Sequence, residues 1–277
     1  AQKELLPIDI DSLQKAIELN GVAIEQNLRA FNWGRLLCEQ HQSVFNLAGL
    51  NSKKSEIISI DKYVDNFSGI LEKYQNKDYS KIFLSNVKKI IKKENQIDQS
   101  EKELPLSRKA ALTLFRAMRY KDEYEVARLH TSGDFAQTFL NENKNAKLEY
   151  YLAPPLFSKK DPDTGHLLKK RFGPSVYKIF KVLSYFKFLR GTKLDMFGYT
   201  LERKKERALA QKTITTINKI SEILNDNNYK KIIEFLDIPL SIKGYGHVKE
   251  KNIKIAEEKW DKSFDKILNN QNLKKVS

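Results

Sequence analysis

The chain has 277 residues, 40% of them hydrophobic and 10% aromatic, values of a globular protein rather than a disordered one, and it is long enough for a substantial core. Its single cysteine, Cys38, excludes an internal disulfide, a cysteine-held iron–sulfur cluster and a structural zinc site. A net charge of +15 raises nucleic acid as a partner, but 40 of the 50 basic residues are lysine, a coding-bias pattern that places most of the charge on a solvated surface.

Location matters more than total charge. Residues 151–200 carry ten Lys/Arg against three Asp/Glu, whereas residues 1–50 carry four against six, so the centre is locally basic. Eight of the ten arginines lie between Arg108 and Arg207. Arginine offers a planar fork that grips carboxylate or phosphate in two places, which lysine does not reproduce. The cluster therefore marks positions where geometry counts, either as internal ion pairs, the preferred reading, or as ligand contacts. No apolar run of about 18 residues is present to span a membrane, and no signal-peptide start precedes the globular sequence. A cytoplasmic location without membrane contact is expected. Ala1 opens in ordinary globular text, which fits either an excised piece of a longer polypeptide or a processed methionine.

In chain order, periodicity predicts helices over 11–20 and from 22 to about 40, divided by a stop at Asn20-Gly21. Residues 42–56 are polar and unpatterned and read as a linker. Ser59 caps a helix carrying Ile60, Tyr63, Val64, Phe67, Ile70, Leu71 and Tyr74 on one side, and a second helix follows Asp78 to complete an antiparallel hairpin. A charged linker is expected over 94–104, ending at Pro105. The next helical stretch runs from Ser107 to about His130 with a break near Tyr120, and a short helix follows over 134–140. The period then changes: Leu148, Tyr150 and Leu152 alternate with Lys147, Glu149 and Tyr151, which is strand spacing. A turn at 161–165 lies between the apolar pairs Leu156-Phe157 and Leu167-Leu168 and suggests a hairpin. Gly173-Pro174 opens a helix with Val176, Ile179, Phe180, Leu183 and Leu189 inward, stopped by Gly191. Further helices are expected from a Thr200 cap to about 224, over 229–236 and over 248–268. The predicted fold is mainly α, with a small β-hairpin or sheet around 146–172.

Three constellations carry charge. Arg116, Arg119, Glu123 and Arg128, with Lys121, Asp122 and Glu125 and the interleaved Tyr120 and Tyr124, read as a helical stripe in which Arg119–Glu123 and Lys121–Glu125 pair four residues apart. A structural network is preferred for it, and a site that orients an anionic group is the alternative. Lys243, His247 and Lys249 surround a Gly244-Tyr-Gly246 turn at a helix start, where backbone N–H groups favour anions. A third glycine would be needed for a dinucleotide fingerprint, and Lys249 stands there instead; a plain tight turn is preferred. Lys169, Lys170, Arg171, Lys187, Arg190, Arg203 and Arg207 alternate with Phe172, Tyr177, Tyr185, Phe186, Phe188, Phe197 and Tyr199. Such interleaving suits single-stranded nucleic acid, but the helical spacing assigns most of these rings to the core. The four histidines stand apart with no metal-ligand spacing. No metal site and no catalytic nucleophile are assigned.

The runs AIELNGVAIEQNLRAFNWGRL (16–36), MRYKDEYEVARLH (118–130), YYLAPPLF (150–157), KKRFGP (169–174), LRGTKLDMFGYTLERKKERAL (189–209) and PLSIKGYGHVKE (239–250) resemble the C-terminal portion of the fused indolepyruvate ferredoxin oxidoreductases. By that resemblance residues 1–45 are the end of the pyruvate/ketoisovalerate oxidoreductase catalytic domain, 46–105 a linker and helical hairpin, and 106–277 an appended helical domain. It implies an enzyme that uses thiamine diphosphate to decarboxylate an aryl 2-oxoacid, passes electrons through iron–sulfur clusters to ferredoxin and gives the acyl group to coenzyme A. No thiamine-diphosphate Gly-Asp-Gly motif and no cysteine cluster occur in this chain. The segment is therefore expected to bind none of these cofactors itself, and to be structural or docking rather than catalytic. Its expected partners are the enzyme's other domains, ferredoxin and a second copy of the chain. A basic helical domain that binds nucleic acid, or that only dimerises, is the alternative.

Overall fold

A computed structural model describes residues 2, 8–48, 58–97, 103–132, 138–139, 141–143, 148–153 and 168–272. The chain divides into two compact units, Ala1–Ile58 and Ser59–Ser277. Among the described residues helix dominates, with one antiparallel pair of short strands, as the hydrophobic periodicities require.

The first unit holds α1 (Ile10–Asn20), α2 (Ile24–Glu39) and α3 (His41–Leu47). Asp9 caps α1 by accepting the Ser12 N–H at 2.7 Å, and Gly21 ends it at φ +70°, in the left-handed region that glycine tolerates. The third helix corrects the linker expected from residue 42: it is seven residues long, held by a stacked His41–Phe45 pair one turn apart, too short to declare a period in sequence. Among the described residues of this unit Val44 alone is buried.

The second unit opens with α4 (Ile60–Tyr74), capped by Ser59, and α5 (Lys77–Ile97), capped by Asn76. Helix α6 (Pro105–Met118) packs across both, and Leu71, Phe83, Val87, Leu114 and Met118 form their shared core. The helical hairpin and the chain beyond residue 105 thus share one interior. Expected to be a charged linker, residues 94–97 instead complete α5, and Glu94 is buried. Its carboxylate accepts the Leu106 N–H at 2.9 Å, the Ser107 N–H at 2.7 Å and the Tyr229 hydroxyl at 2.7 Å. Those contacts satisfy amide groups that the first turn of α6 leaves open, where negative charge is favoured.

After the predicted break come α7 (Glu123–Thr131), β1 (Tyr150–Leu152) and β2 (Lys170–Phe172), paired Tyr150 with Phe172 and Leu152 with Lys170. The second strand therefore lies beyond Leu167-Leu168, while the turn at 161–165 and most of the helix expected over 134–140 lie outside the described residues. Helix α8 (Val176–Tyr185) continues into a 3-10 turn, Phe186–Leu189, and Gly191 at φ +78° ends the run. Ala127, Tyr150, Val176 and Phe180 form a small core between α7, β1 and α8. Contrary to the expected pattern, Ile179 is 61% exposed.

Thr200 caps α9 (Leu201–Ile223), and α10 (Tyr229–Phe235), α11 (Asp237–Leu240) and α12 (Gly246–Asn272) follow. Ile217, Ile220, Ile232, Leu236 and Trp260 join Leu106 and Ile90 in the largest core. Gly244 (φ +94°) and Gly246 (φ +55°) make the turn into α12, and a Cβ on Gly244 would lie 2.8 Å from Val248 Cγ1. No helix among the described residues is long and apolar enough to cross a membrane.

Candidate functional site

Five of the eight clustered arginines converge near the junction of α6 and α7. Because the chain leaves helix at Arg119 and re-enters at Glu123, the carboxylates there are redirected, and the pairing expected along one continuous helix does not form. Asp122 becomes the N-cap of α7, accepting the Glu125 N–H at 2.8 Å. Its remaining capacity is taken by Arg190, whose Nε donates to Oδ2 and whose Nη2 donates to Oδ1 at 2.8 Å, a two-pronged contact between buried groups. Arg190 Nη1 also donates to the Tyr74 carbonyl at 2.6 Å, and its guanidinium stacks 3.6 Å from the Tyr74 ring centre. Lys187 Nζ donates to the Lys73 carbonyl at 2.6 Å. Two cations thus close the C-terminal end of α4, where the helix leaves carbonyls unpaired and favours positive charge.

Neighbouring pairs extend the node. Arg128 grips Glu125 at 2.7 and 2.9 Å, and Arg119 lies 3.6 Å from the same carboxylate. Glu123 accepts from Arg203 Nε at 3.3 Å and Nη2 at 3.2 Å. Asp195 accepts from the Tyr124 hydroxyl at 3.2 Å, Gly191 N–H at 2.8 Å and Gly198 N–H at 3.0 Å, with Arg207 Nη1 at 3.9 Å. Arg207 Nη2 donates to the Gly198 carbonyl at 2.6 Å. Arg119, Arg128, Arg190, Arg203 and Arg207 each have a carboxylate within 4 Å, drawn from Asp122, Glu123, Glu125 and Asp195. The node is close to neutral and ties α4, α7, the 190–200 loop and α9 together.

Its ionisation follows from that arrangement. Burial works against the charge on Arg190, but the Asp122 hydrogen bonds and Tyr74 outweigh it and hold the guanidinium above its ordinary value; Arg203 is raised likewise by Glu123. Burial, then the Asp122 charge, pushes the Tyr120 hydroxyl up to about 12. Burial also raises Tyr74 and Tyr124, the latter helped by Asp195, and lowers Lys187, helped by Arg128 and Arg190. The arginines and tyrosines of the node, all shifted upward, keep fixed protonation states near neutrality. That is the behaviour of a clamp rather than of an acid–base pair, which needs a group poised near the working pH.

The other expected site residues fall elsewhere. Arg116 is exposed, on the rim of a small crevice beside Thr113 and Ile242. Lys169, Lys170 and Arg171 lie exposed at β2, with Arg171 paired to Glu149 across the strands. Lys243 is exposed, and its carbonyl accepts from Asn252 Nδ2 at 2.8 Å. Lys249 is half-buried and paired with Glu206 at 2.5 Å, and the His247 side chain lies outside the described residues. An open cleft of about 270 Å³ does lie beside this turn, but Lys205–Glu250 and Lys249–Glu206 pairs line it together with Glu202. Both ammonium groups already have carboxylate partners, which favours the plain turn over a cationic cradle for phosphate.

Sequence reading missed Tyr74 and Asp195 as members of the node. Asp195 had a legible signal: a lone carboxylate with glycine four residues before it and three after, spacing at which a carboxylate can accept backbone N–H groups. Tyr74 reads only as an apolar helix position. The aromatic assignment is corrected as well. Tyr185, Phe186, Phe188 and Tyr199, expected in the core, are exposed, because α8 buries only its Val176–Phe180 side and the chain then leaves regular helix. No curated protein and no solved structure matches the chain. Residues 61–262, most of the chain and nearly all of the second unit, match the model of DUF6537, and the chain belongs to this family of unknown function.

Proposed function

We propose that this chain is a non-catalytic, C-terminal segment of a thiamine-diphosphate-dependent 2-oxoacid ferredoxin oxidoreductase acting on an aryl 2-oxoacid such as indolepyruvate. In this reading it is cytoplasmic and packs against the domains that hold the cofactors. One observation carries it: the first unit has amphipathic helices whose described residues bury almost nothing. Leu19, Val22, Trp33 and Leu47 are each more than half exposed, a burden that a folded unit relieves by packing on further protein. The resemblance of residues 16–36 to the end of a catalytic domain supplies that further protein.

The donor set of this chain does not fit the enzyme's iron–sulfur clusters, since one cysteine cannot provide their thiolates. Clusters and thiamine diphosphate belong, on this reading, to other parts of the enzyme, and no reaction step is assigned to residues here. The arginine node contributes architecture, which favours the scaffold reading of Arg119, Arg128, Arg190, Arg203 and Arg207 over a coenzyme A phosphate site.

The test is an assay of the whole polypeptide that carries this chain for indolepyruvate- and coenzyme A-dependent reduction of ferredoxin. Activity is expected, together with slowed hydrogen exchange in α1 and α2 relative to the isolated 277-residue chain. A complete polypeptide that binds thiamine diphosphate yet leaves α1 and α2 unprotected would refute the packing role, and one that cannot bind thiamine diphosphate would refute the class.

A further inference from the structure

We propose that the outer side of residues 178–201 is a docking surface for an acidic protein whose contact patch has an apolar centre. This surface stands independently of the oxidoreductase reading. On α8, Ile179 (61%), Val182 (59%) and Tyr185 (69%) are exposed along one helical stripe while Val176 and Phe180 fill the core beneath. Along the following loop Phe188, Leu194, Met196 and Tyr199 are each at least 55% exposed. Aromatic residues and methionine at this density are the composition of interface centres.

The loop is held rather than loose. Asp195, buried at its middle, accepts the Gly191 and Gly198 N–H groups and the Tyr124 hydroxyl, and Arg190 anchors its start through Asp122. Tyr199 closes it by donating to the Lys193 carbonyl at 2.6 Å. Leu194 and Met196 flank the pinned Asp195 on either side and face solvent. A loop backbone fixed in place before binding loses little entropy on docking, an advantage only against a partner of definite shape.

Charge selects among occupants. Lys178, Lys181 and Lys193 are exposed between the apolar residues, and the only carboxylate from 176 to 201 is the buried Asp195. A second copy docked face to face would set lysine against lysine, which is unfavourable. Nucleic-acid sites are more polar and far more cationic than this one, and the best phosphate binders nearby, Arg190 and Arg203, are turned inward onto Asp122 and Glu123. A bilayer accepts apolar side chains in any arrangement and gains nothing from the fixed loop. An acidic protein surface with apolar groups at its centre satisfies the lysines and the apolar side chains together.

The test uses the whole protein in its own cells with a benzophenone amino acid at position 196, and a control at exposed position 219. The expected result is a covalent adduct with one other protein, through a segment containing Asp or Glu. Its yield should fall at least tenfold when Lys178→Glu, Lys181→Glu and Lys193→Glu are combined, and return when the partner's carboxylates are changed to lysine. All three lysines are exposed, so the melting temperature should stay unchanged; Leu194→Asp, with the same expected loss, replaces the triple variant if it does not fold. Adducts only with a second copy, lipid or nucleic acid, an adduct indifferent to the charge reversal, or none above the position 219 control would each overturn the proposal.

Discussion

Replacing Arg190 by methionine tests whether the arginine node holds the second unit together. Arg190 is 4% exposed and Asp122 is 3% exposed, so the variant strands a carboxylate away from water, beside a Tyr74 carbonyl that has lost its 2.6 Å donor. Breaking a buried pair from one side costs about 3–5 kcal/mol. For a unit of this size, at about 2–4 °C per kcal/mol, the melting temperature should fall by about 6–20 °C. Calorimetry on the wild type, Arg190→Met, Asp122→Asn and the double variant gives the comparison. The double variant should be more stable than Arg190→Met, because an amide at position 122 carries no charge to strand and keeps an oxygen for the Glu125 N–H. A loss below about 1 kcal/mol, the value of a solvated pair such as Arg171–Glu149, would refute the clamp.

Three other outcomes are expected. In Gly198→Ala the new Cβ would lie 2.7 Å from Asp195 Cγ and 3.0 Å from Arg207 Nη1; since Asp195 is pinned by three donors it cannot swing away, and a loss of about 1–3 kcal/mol in urea unfolding should follow. Glu94→Ala leaves the Leu106 and Ser107 N–H groups without their acceptor, and should cost about 1–3 kcal/mol with faster hydrogen exchange at the start of α6. Tyr120, ordinarily near 10.0, is pushed up to about 12, chiefly by burial. A raised value means the folded state keeps the neutral phenol, so this stability is complete below pH 10 and is lost as pH rises from 10 toward 12. Unfolding midpoints across that range, followed with the phenolate absorbance, should fall in the wild type and less in Tyr120→Phe; equal slopes would contradict the assignment.

The helices were legible because their cues are local. Ser59, Thr200 and Gly21 mark helix boundaries in the sequence and do so in the structure, and the change of period at 148–152 marked β1. Errors fell where helices were short or where burial depended on a distant partner. Helix α3 is seven residues long, and Glu94 looked like linker charge until α6 and Tyr229 closed over it.

Composition and spacing by themselves determined that this chain is mainly helical, that its one cysteine cannot supply all the thiolates of a cluster, and that the arginines gather in one region. Only the tertiary structure decided what the arginines do. The partners of Arg190 and Arg203 are far away along the chain, with Asp122 lying 68 positions from Arg190 and Glu123 80 from Arg203. The same distance effect turned Tyr185, Phe188 and Tyr199 outward, because one helical stripe does not reveal which of its sides meets the core. Periodicity constrains neighbours three and four residues apart, whereas ion-pair choice and the exposed face follow from how separate elements pack.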